Sequence, residues 1–344
     1  MIILGIESTC DETGVGIVRN GREILGNVVA SSSEMHKAYG GIVPEVAARE
    51  QVKAIIPTVD RAFSESGLEM QDVDAIAVSY GPGLIGSLLI GVETAKTLAL
   101  VFNKPLVAVN HLVAHVYANW INNEKLDTGN FKLPEFPLIA LIVSGGHTDL
   151  ILMKDHNKFQ WLGGTLDDAC GEAFDKVARV LGFSYPGGPE IEKIASNFQT
   201  GNWKLETRNV KFPRPMIAED NFDFSFSGLK TAVVNLVSRN KFPENRYPEV
   251  AYEFQNAVCD VLVKKTLRAA EKYKVKYVVV GGGVAANAAL ENALVSEGRK
   301  NNLQVLFPGK NLSVDNGAMI ATAAYWQKRF VNPLSISANP GLYF

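Results

Sequence analysis

The sequence has little cysteine, no long apolar run and almost no net charge, and each shortage removes a class of protein. Its three cysteines, Cys10, Cys170 and Cys259, lie far apart and form no CxxC pair. That excludes a disulfide scaffold and suits a reducing compartment. Nowhere do eighteen apolar residues run together, so no membrane span is expected. The apolar opening Ile2-Ile3-Leu4-Gly5-Ile6 meets Glu7 at once and has no basic stretch before it, which is too short for a signal peptide. A cytosolic protein is the expectation. The formal net charge of −2 carries no nucleic-acid footprint, so any basic surface must be local. Lys204/Arg208/Lys211/Arg214 and Lys264/Lys265/Arg268 are the candidates, although a solvated helix face is the plainer reading of each.

What is present is ordinary material for a packed α/β enzyme. The 344 residues are 47% hydrophobic and 20% charged, enough to bury two medium cores or one large one. Ile2 to Ile6 and Gly14 to Val18 read as strands, and Asn20-Gly21 supplies a type I′ turn into Ile24 to Ala30. Pro44 opens a helix whose apolar stripe is Val52, Ile55, Ile56, Val59 and Phe63, with a kink or break expected at Pro57. Val73 to Val78 is a buried strand running into Gly81-Pro82-Gly83 and a helix to about Phe102. Leu106 to Val109 leads straight into a helix bearing His111 and His115. Residues 122–136 are the best linker candidate, and after them the pattern restarts. Leu138 to Val143 and Leu150 to Met153 flank the turn Ser144-Gly145-Gly146-His147-Thr148, as a strand, a loop and a returning strand open the first half. Helices are expected near 171–181, 189–198, 227–238 and 249–273, from Asn287, and from Asp315 to Arg329, with strands at Tyr277 to Val280 and Leu303 to Phe307. Strands alternating with helices, with glycine turns at strand ends, predict two α/β halves with ligands at the strand C-termini.

Four groups of residues carry possible chemistry. His111 and His115 stand four apart on the expected helix, so both imidazoles share one face and could hold a metal with further ligands from elsewhere. Two partly buried histidines satisfied by carbonyls is the alternative. A zincin protease would place glutamate after the first histidine, and here that residue is Leu112. Ser144-Gly145-Gly146 could cradle an anion with its backbone N–H groups, or be a plain tight turn. Gly281-Gly282-Gly283 before a helix is a stronger phosphate signal, and Asn287 beyond it could bind a ribose or simply cap the helix. Asp168, Glu172 and Asp175, with Asp167 beside them, could take ribose hydroxyls or a hydrated Mg²⁺, or only complement a helix dipole. Asp11 and Glu12 lie in the first polar loop, where carboxylates could orient a water or a metal-bound phosphate.

Read in order, these motifs resemble a known family. Gly5-Ile6-Glu7-Ser8-Thr9-Cys10-Asp11-Glu12-Thr13, Gly40-Gly41-Ile42-Val43-Pro44-Glu45, Gly81-Pro82-Gly83-Leu84 and Asn110-His111-Leu112-Val113-Ala114-His115 resemble the universal proteins of tRNA threonylcarbamoyladenosine synthesis. So do Val143-Ser144-Gly145-Gly146-His147-Thr148, the Asp167 to Lys176 stretch, Tyr185-Pro186-Gly187-Gly188, Gly281 to Asn287 and Asp315-Asn316-Gly317-Ala318. Phe224-Ser225-Phe226-Ser227-Gly228-Leu229-Lys230 is similar to the bacterial branch.

The resemblance implies a two-lobed actin-like ATPase fold (ASKHA), each lobe built around a ribonuclease-H-like mixed sheet. One lobe would be 1–121 plus about 308–344, with the metal-binding and last helices. The other would be about 122–307 with helical insertions, and the nucleotide would sit in the cleft between them. It implies transfer of a threonylcarbamoyl group from threonylcarbamoyl-AMP to the exocyclic amine of the adenosine 3′ of the anticodon in tRNAs reading codons that begin with A. The implied metal ligands are His111, His115 and Asp315, for one iron or zinc ion per subunit. Ile142, Val143, Ser144, Gly145, Gly146, Asp175, Gly188 and Asn287 would hold the substrate or ATP/ADP, with Mg²⁺ as a further ion. Glu192 stands where many members carry aspartate, and it can still reach a ribose hydroxyl. Asp11 or Glu12 would assist proton removal from the amine, or only organise the loop. The implied partners are tRNA, a separate synthase for the adenylate, a shorter TsaB-like paralogue without the metal site, and a TsaE-like small ATPase; no membrane is involved. A metalloprotease of the O-sialoglycoprotein endopeptidase kind and an actin-fold ATPase or phosphotransferase are the alternatives.

Overall fold

The structure is a computed structural model that describes residues 1–37, 39–121, 133–200, 210–239 and 242–344. Lys204, Arg208 and most of the expected 122–136 linker lie outside the described residues. Two compact units divide the chain: Met1–Pro134 with Pro308–Phe344, and Glu135–Phe307.

The first unit contains β1 (Ile2–Glu7), β2 (Glu12–Arg19), β3 (Glu23–Ser31), α1 (Ser33–Lys37), α2 (Pro44–Ser66), β4 (Ala75–Gly81), α3 (Ile85–Val101), β5 (Leu106–Asn110) and α4 (His111–Tyr117). The second contains β6 (Leu138–Val143), β7 (Thr148–Asp155), β8 (Lys158–Gly164), α5 (Cys170–Val180), α6 (Gly187–Thr200), α7 (Ser227–Val234), α8 (Tyr247–Lys272), β9 (Tyr277–Gly281), α9 (Ala288–Lys300) and β10 (Gln304–Leu306). The chain then returns to the first unit for α10 (Gly317–Gln327) and the short β11 (Phe330–Val331).

Both sheets follow one path. In the first, β1, β2 and β3 form an antiparallel meander, β4 lies parallel on the other side of β1, and β5 lies parallel beyond β4. In the second, β6 to β8 repeat the meander, with β9 and then β10 parallel beyond β6. The ribonuclease-H-like order is thus drawn twice, which is the restart read from the sequence. The first strands are buried along almost their whole length, because helices cover the sheets. At the first hairpin, Asn20 and Gly21 have φ of 53° and 63°, and Arg22 N donates to Arg19 O at 3.1 Å, as a type I′ turn requires.

Helix α10 lies against β1 and β2 along a seam of glycines. A Cβ built on Gly5 would come within 2.5 Å of Ala321 N, one on Gly14 within 2.8 Å of Gly317 N, and one on Gly317 within 2.6 Å of Gly5 O. Side chains are excluded there because helix backbone and strand backbone touch. Asn316 closes the helix start by accepting from Met319 N at 3.0 Å.

Several expectations are corrected. Helix α2 continues unbroken through Pro57. Its buried face is Ala47, Gln51, Ile55, Thr58, Val59 and Ala62, while Val52 and Ile56 are 59% and 54% exposed. The helix is turned so that Gln51 Nε2 donates to Cys10 O (3.0 Å) and Glu12 O (2.9 Å), a buried polar demand that the apolar stripe did not reveal. Asp315 stands before α10 and not within it. Strands β8 and β11 and helix α1 were not anticipated. Of the two basic runs, the described part includes exposed Lys211 and Lys264 alongside residues engaged within the protein. Lys265 is fully buried and donates to Asn221 O and Oδ1 at 3.2 and 3.0 Å, and Arg214 pairs with Asp260 at 2.8 Å. Among the described residues no helix is long and apolar enough to cross a membrane.

Candidate functional site

In the first unit the chemistry gathers around α4. Strand β5 ends at Asn110, whose Oδ1 accepts from Leu112 N (2.9 Å) and Val113 N (3.2 Å) and so starts the helix at His111. All seven residues of α4 are buried. His111 and His115 therefore point from one face into the protein interior, with ring centroids 4.7 Å apart. Asp315 meets them there: its Oδ1 is 3.8 Å from His111 Nε2 and 3.1 Å from His115 Nε2. Each of the three offers one ligand atom, and all three atoms lie within 4.8 Å of one another. His115 is 1% exposed, its Nδ1 has no hydrogen-bond partner, and its Nε2 faces the Asp315 carboxylate. A buried ring nitrogen left unsatisfied is costly. Nitrogen and carboxylate donors in this number suit a transition-metal ion, so the residues fit one.

Around the triad sits a shell that the sequence reading passed over. Glu7, at the end of β1 and fully buried, has Oε2 at 3.0 Å from His111 Nδ1 and accepts from Thr9 N at 2.7 Å. Thr9 Oγ1 lies 3.3 Å from His111 Nδ1 and donates to Asp315 Oδ2 at 3.4 Å. A carboxylate closing an otherwise apolar strand was the available signal, since a buried charge demands a partner. Burial disfavours charge on His111, but Glu7 and Asp315 outweigh it and push the imidazole up to about 9. Burial alone would raise Asp315, yet the two histidines hold it well below the usual carboxylate range. Glu12 is held far above that range, first by burial and then by Asp315 and Asp11. Asp11 stands next to it with its backbone carbonyl taken by Ser32 N and Oγ, at 3.0 and 2.9 Å.

In the second unit Ile142 to Gly146 and Gly281 to Asn287 lie at the C-terminal ends of β6 and β9, which pair as Ile142 with Gly281. The turn after β6 is closed by Ser144 N donating to His147 O (2.8 Å) and His147 N to Ser144 Oγ (3.1 Å). Gly282 has φ of 96°, and a Cβ there would come within 2.8 Å of Val143 C, so the glycine turn is packed against that strand end. Gly145, Gly146, Gly188 and Gly283 are different: a Cβ on any of them would meet nothing within 4 Å. Neither internal packing nor a left-handed backbone demands glycine at these four, and the space beside them is open. Asp175 accepts from Gly187 N at 2.7 Å, which fixes the start of α6. Glu192 accepts from Ala288 N at 2.8 Å. Asn287 caps α9, with Oδ1 accepting from Leu290 N (3.0 Å) and Nδ2 donating to Gln255 (2.9 Å), so of the two readings of this residue its contacts are those of a cap.

The acidic stretch is structural for the most part. Asp167 and Asp168 precede α5 instead of lying on it. Asp167 accepts from Ser225 Oγ, Phe226 N, Ser227 N and Ser227 Oγ, binding the 224–230 motif at the start of α7. Asp168 holds Lys176 at 2.7 Å and Lys230 at 2.9 Å, and Lys176 also pairs with Glu172 at 2.8 Å. These carboxylates face lysine ammonium groups, so each has a local charge partner within the chain. Burial opposes the charge on Asp168, but the two ammonium groups prevail and lower its pKa from 3.8. A depressed folded value means that stability is complete above 3.8 and is lost as pH falls through the lower folded value. Urea midpoints of wild type and Asp168→Asn should therefore differ most above pH 4 and converge toward about pH 2, with the wild type the more stable. A gap that stayed constant with pH would show that the pairing contributes nothing.

The chain matches the family model for TsaD, tRNA N6-adenosine threonylcarbamoyltransferase, over residues 23–322. It is 47% identical over 344 residues to the tRNA N6-adenosine threonylcarbamoyltransferase of Moorella thermoacetica, covering 99% of this chain and 96% of that protein. It is 46% identical over 347 residues to that of Bacillus subtilis, covering 99% and 95%. Among solved structures, T. kodakarensis HypF shares the fold at 15% identity and a TM-score of 0.59, covering 94% of this chain and 47% of that one. The Acidaminococcus fermentans (R)-2-hydroxyglutaryl-CoA dehydratase component A does so at 13% and 0.52, covering 94% and 98%. With its twofold ribonuclease-H-like sheet and a match that spans nearly the whole sequence, the chain belongs to the TsaD family of tRNA N6-adenosine threonylcarbamoyltransferases.

Proposed function

We propose that this protein transfers the threonylcarbamoyl group from threonylcarbamoyl-AMP to the exocyclic amine of the adenosine 3′ of the anticodon in tRNAs reading codons that begin with A. Family membership over 99% of the chain carries this reading. His111, His115 and Asp315 hold one iron or zinc ion, and the gathering of their three ligand atoms within 4.8 Å of one another, around the buried His115 ring, is what supports it. When bound, such an ion supplies Lewis acidity and a grip on polar groups of the threonylcarbamoyl moiety.

The adenylate, or ATP/ADP, belongs with the second unit. Gly145 and Gly146 offer backbone N–H groups beside open space at the end of Ile142–Ser144, and Asp175, Gly188, Glu192 and Asn287 are the further residues assigned to the ligand. The amine nitrogen attacks the carbamoyl carbon, the bond to the phosphate oxygen breaks, and AMP leaves with the bonding pair. The backbone N–H groups of Gly145 and Gly146 stabilise the charge that develops. Asp11 or Glu12 takes the amine proton, the other organising the loop after β1. An unpaired anticodon-loop adenosine can be presented without melting a duplex.

The residues of each unit can be tested by themselves. Gly146→Val should weaken AMP binding about tenfold or more by filling the approach to the N–H groups, with Tm unchanged because the added Cβ meets nothing within 4 Å. Isothermal titration of the full chain measures this, and unaltered affinity would remove the turn from the site. For the reaction, the protein is combined with tRNA, threonylcarbamoyl-AMP made by a separate synthase, and its TsaB-like and TsaE-like partners in a cytoplasmic setting. Failure to form the modified nucleoside would overturn the assignment. The protease alternative lacks its general base, since Leu112 occupies that position and is fully buried.

A further inference from the structure

We infer that Glu7 is the positioning residue of the metal centre, holding the His111 ring so that Nδ1 carries the proton and Nε2 faces the cation. The inference rests on the reading of His111, His115 and Asp315 as metal ligands.

Geometry carries it. Glu7 is 0% exposed at the end of β1, in a strand whose remaining residues are apolar or glycine. A buried carboxylate is tolerated only when its oxygens are satisfied. One oxygen accepts from Thr9 N at 2.7 Å, which fixes the carboxylate plane to the loop that follows β1. The other lies 3.0 Å from His111 Nδ1. An ionised carboxylate can only accept, so the hydrogen must sit on Nδ1. In the neutral ring that a metal ion requires, the lone pair is then on Nε2, the nitrogen on the Asp315 side. Metal-ligating histidines commonly carry such a partner on the second ring nitrogen, which sets tautomer and orientation and raises ligand basicity.

The two histidines are not equivalent in this respect. His115 Nδ1 has no hydrogen-bond partner, so no carboxylate orients its ring from that side. Glu7 therefore acts on the centre through His111 alone. Glu7 is also not itself a member of the ligand cluster, which comprises His111, His115 and Asp315. It touches neither substrate nor ion and works by orienting a group that does.

The experiment uses the full chain stripped of metal and titrated with Co²⁺, whose visible spectrum reports both affinity and ligand geometry. Glu7→Gln should raise the Co²⁺ dissociation constant about 10- to 100-fold and alter the Co²⁺ bands, with the far-ultraviolet dichroism unchanged. Glu7→Asp, which keeps the charge but is one methylene shorter, should fall between the two. A second measurement does not depend on the variants. In the Zn²⁺-loaded wild type, ¹⁵N resonances of His111 should show a protonated Nδ1 and a ligating Nε2. Glu7→Gln with wild-type affinity and spectrum, or a wild-type His111 that ligates through Nδ1, overturns the role of Glu7 and leaves the metal reading intact. Wild-type protein that takes up neither Co²⁺ nor Zn²⁺ overturns the metal reading, and the Glu7 inference with it.

Discussion

Asp315→Ala is expected to leave the chain folded, empty of bound iron or zinc, and slower in threonylcarbamoyl transfer by about three orders of magnitude. Lewis-acid stabilisation is worth several kcal/mol, and about 1.4 kcal/mol corresponds to each factor of ten in rate. Two histidines on one short helix leave a site that needs at least one further ligand. Asp315 is the carboxylate whose oxygen lies 3.1 Å from His115 Nε2. The fold should survive because Asp315 stands outside α10, whose start is capped by Asn316. Elemental analysis of the purified variant and single-turnover transfer to tRNA check the two halves of the expectation. Metal content equal to wild type would exclude Asp315 as a ligand. Loss of activity with metal retained would move its role to the substrate.

Gly16→Val carries the largest expected effect on stability. A Cβ at this position would lie within 2.5 Å of Gly317 C, in the backbone of α10. Because the obstacle is backbone, no change of rotamer relieves it, and the helix must move from β1 and β2. Overpacking of this kind costs about 3 kcal/mol or more, equivalent to a fall in Tm of roughly 6–12 °C for a unit of this size. Asp315 lies two residues before the helix, so a shifted α10 should weaken metal uptake as well. Gly145→Val is the control of equal added volume, at a position where nothing lies within 4 Å. Equal melting temperatures for Gly16→Val and wild type would show that the seam is not tight.

Most strands, both halves and the histidine pair were legible because each rests on local pattern. Strand and helix periods mark β1 to β5 and α4, and the restart at Leu138 marks the second sheet, whose topology then repeats the first. What was missed depends on partners distant in sequence. Glu7 and His111 are 104 positions apart, and no spacing rule links them. Asp315 came from family resemblance for the same reason. The face of α2 was misread because Gln51 serves two loop carbonyls, so a polar residue took a buried position that apolar counting gave to Val52 and Ile56. Strand β8 has mostly exposed or half-exposed side chains, so its residues carry little of the burial alternation that announces a strand. The acidic stretch looked like a ligand site because its neutralising lysine Lys230 lies 62 positions from Asp168.

The glycine seam also sets an order of events during synthesis. The N-terminal strands leave the ribosome first, but the helix that covers them belongs to Pro308–Phe344, on the far side of the whole second unit. Domains generally fold as they emerge, so the second unit has its full complement of strands and helices while the first still lacks α10. Until then the face bearing Gly5, Gly14 and Gly16 is flat, narrow and bare, shaped for a helix that has not yet been translated. The strands made first are covered last.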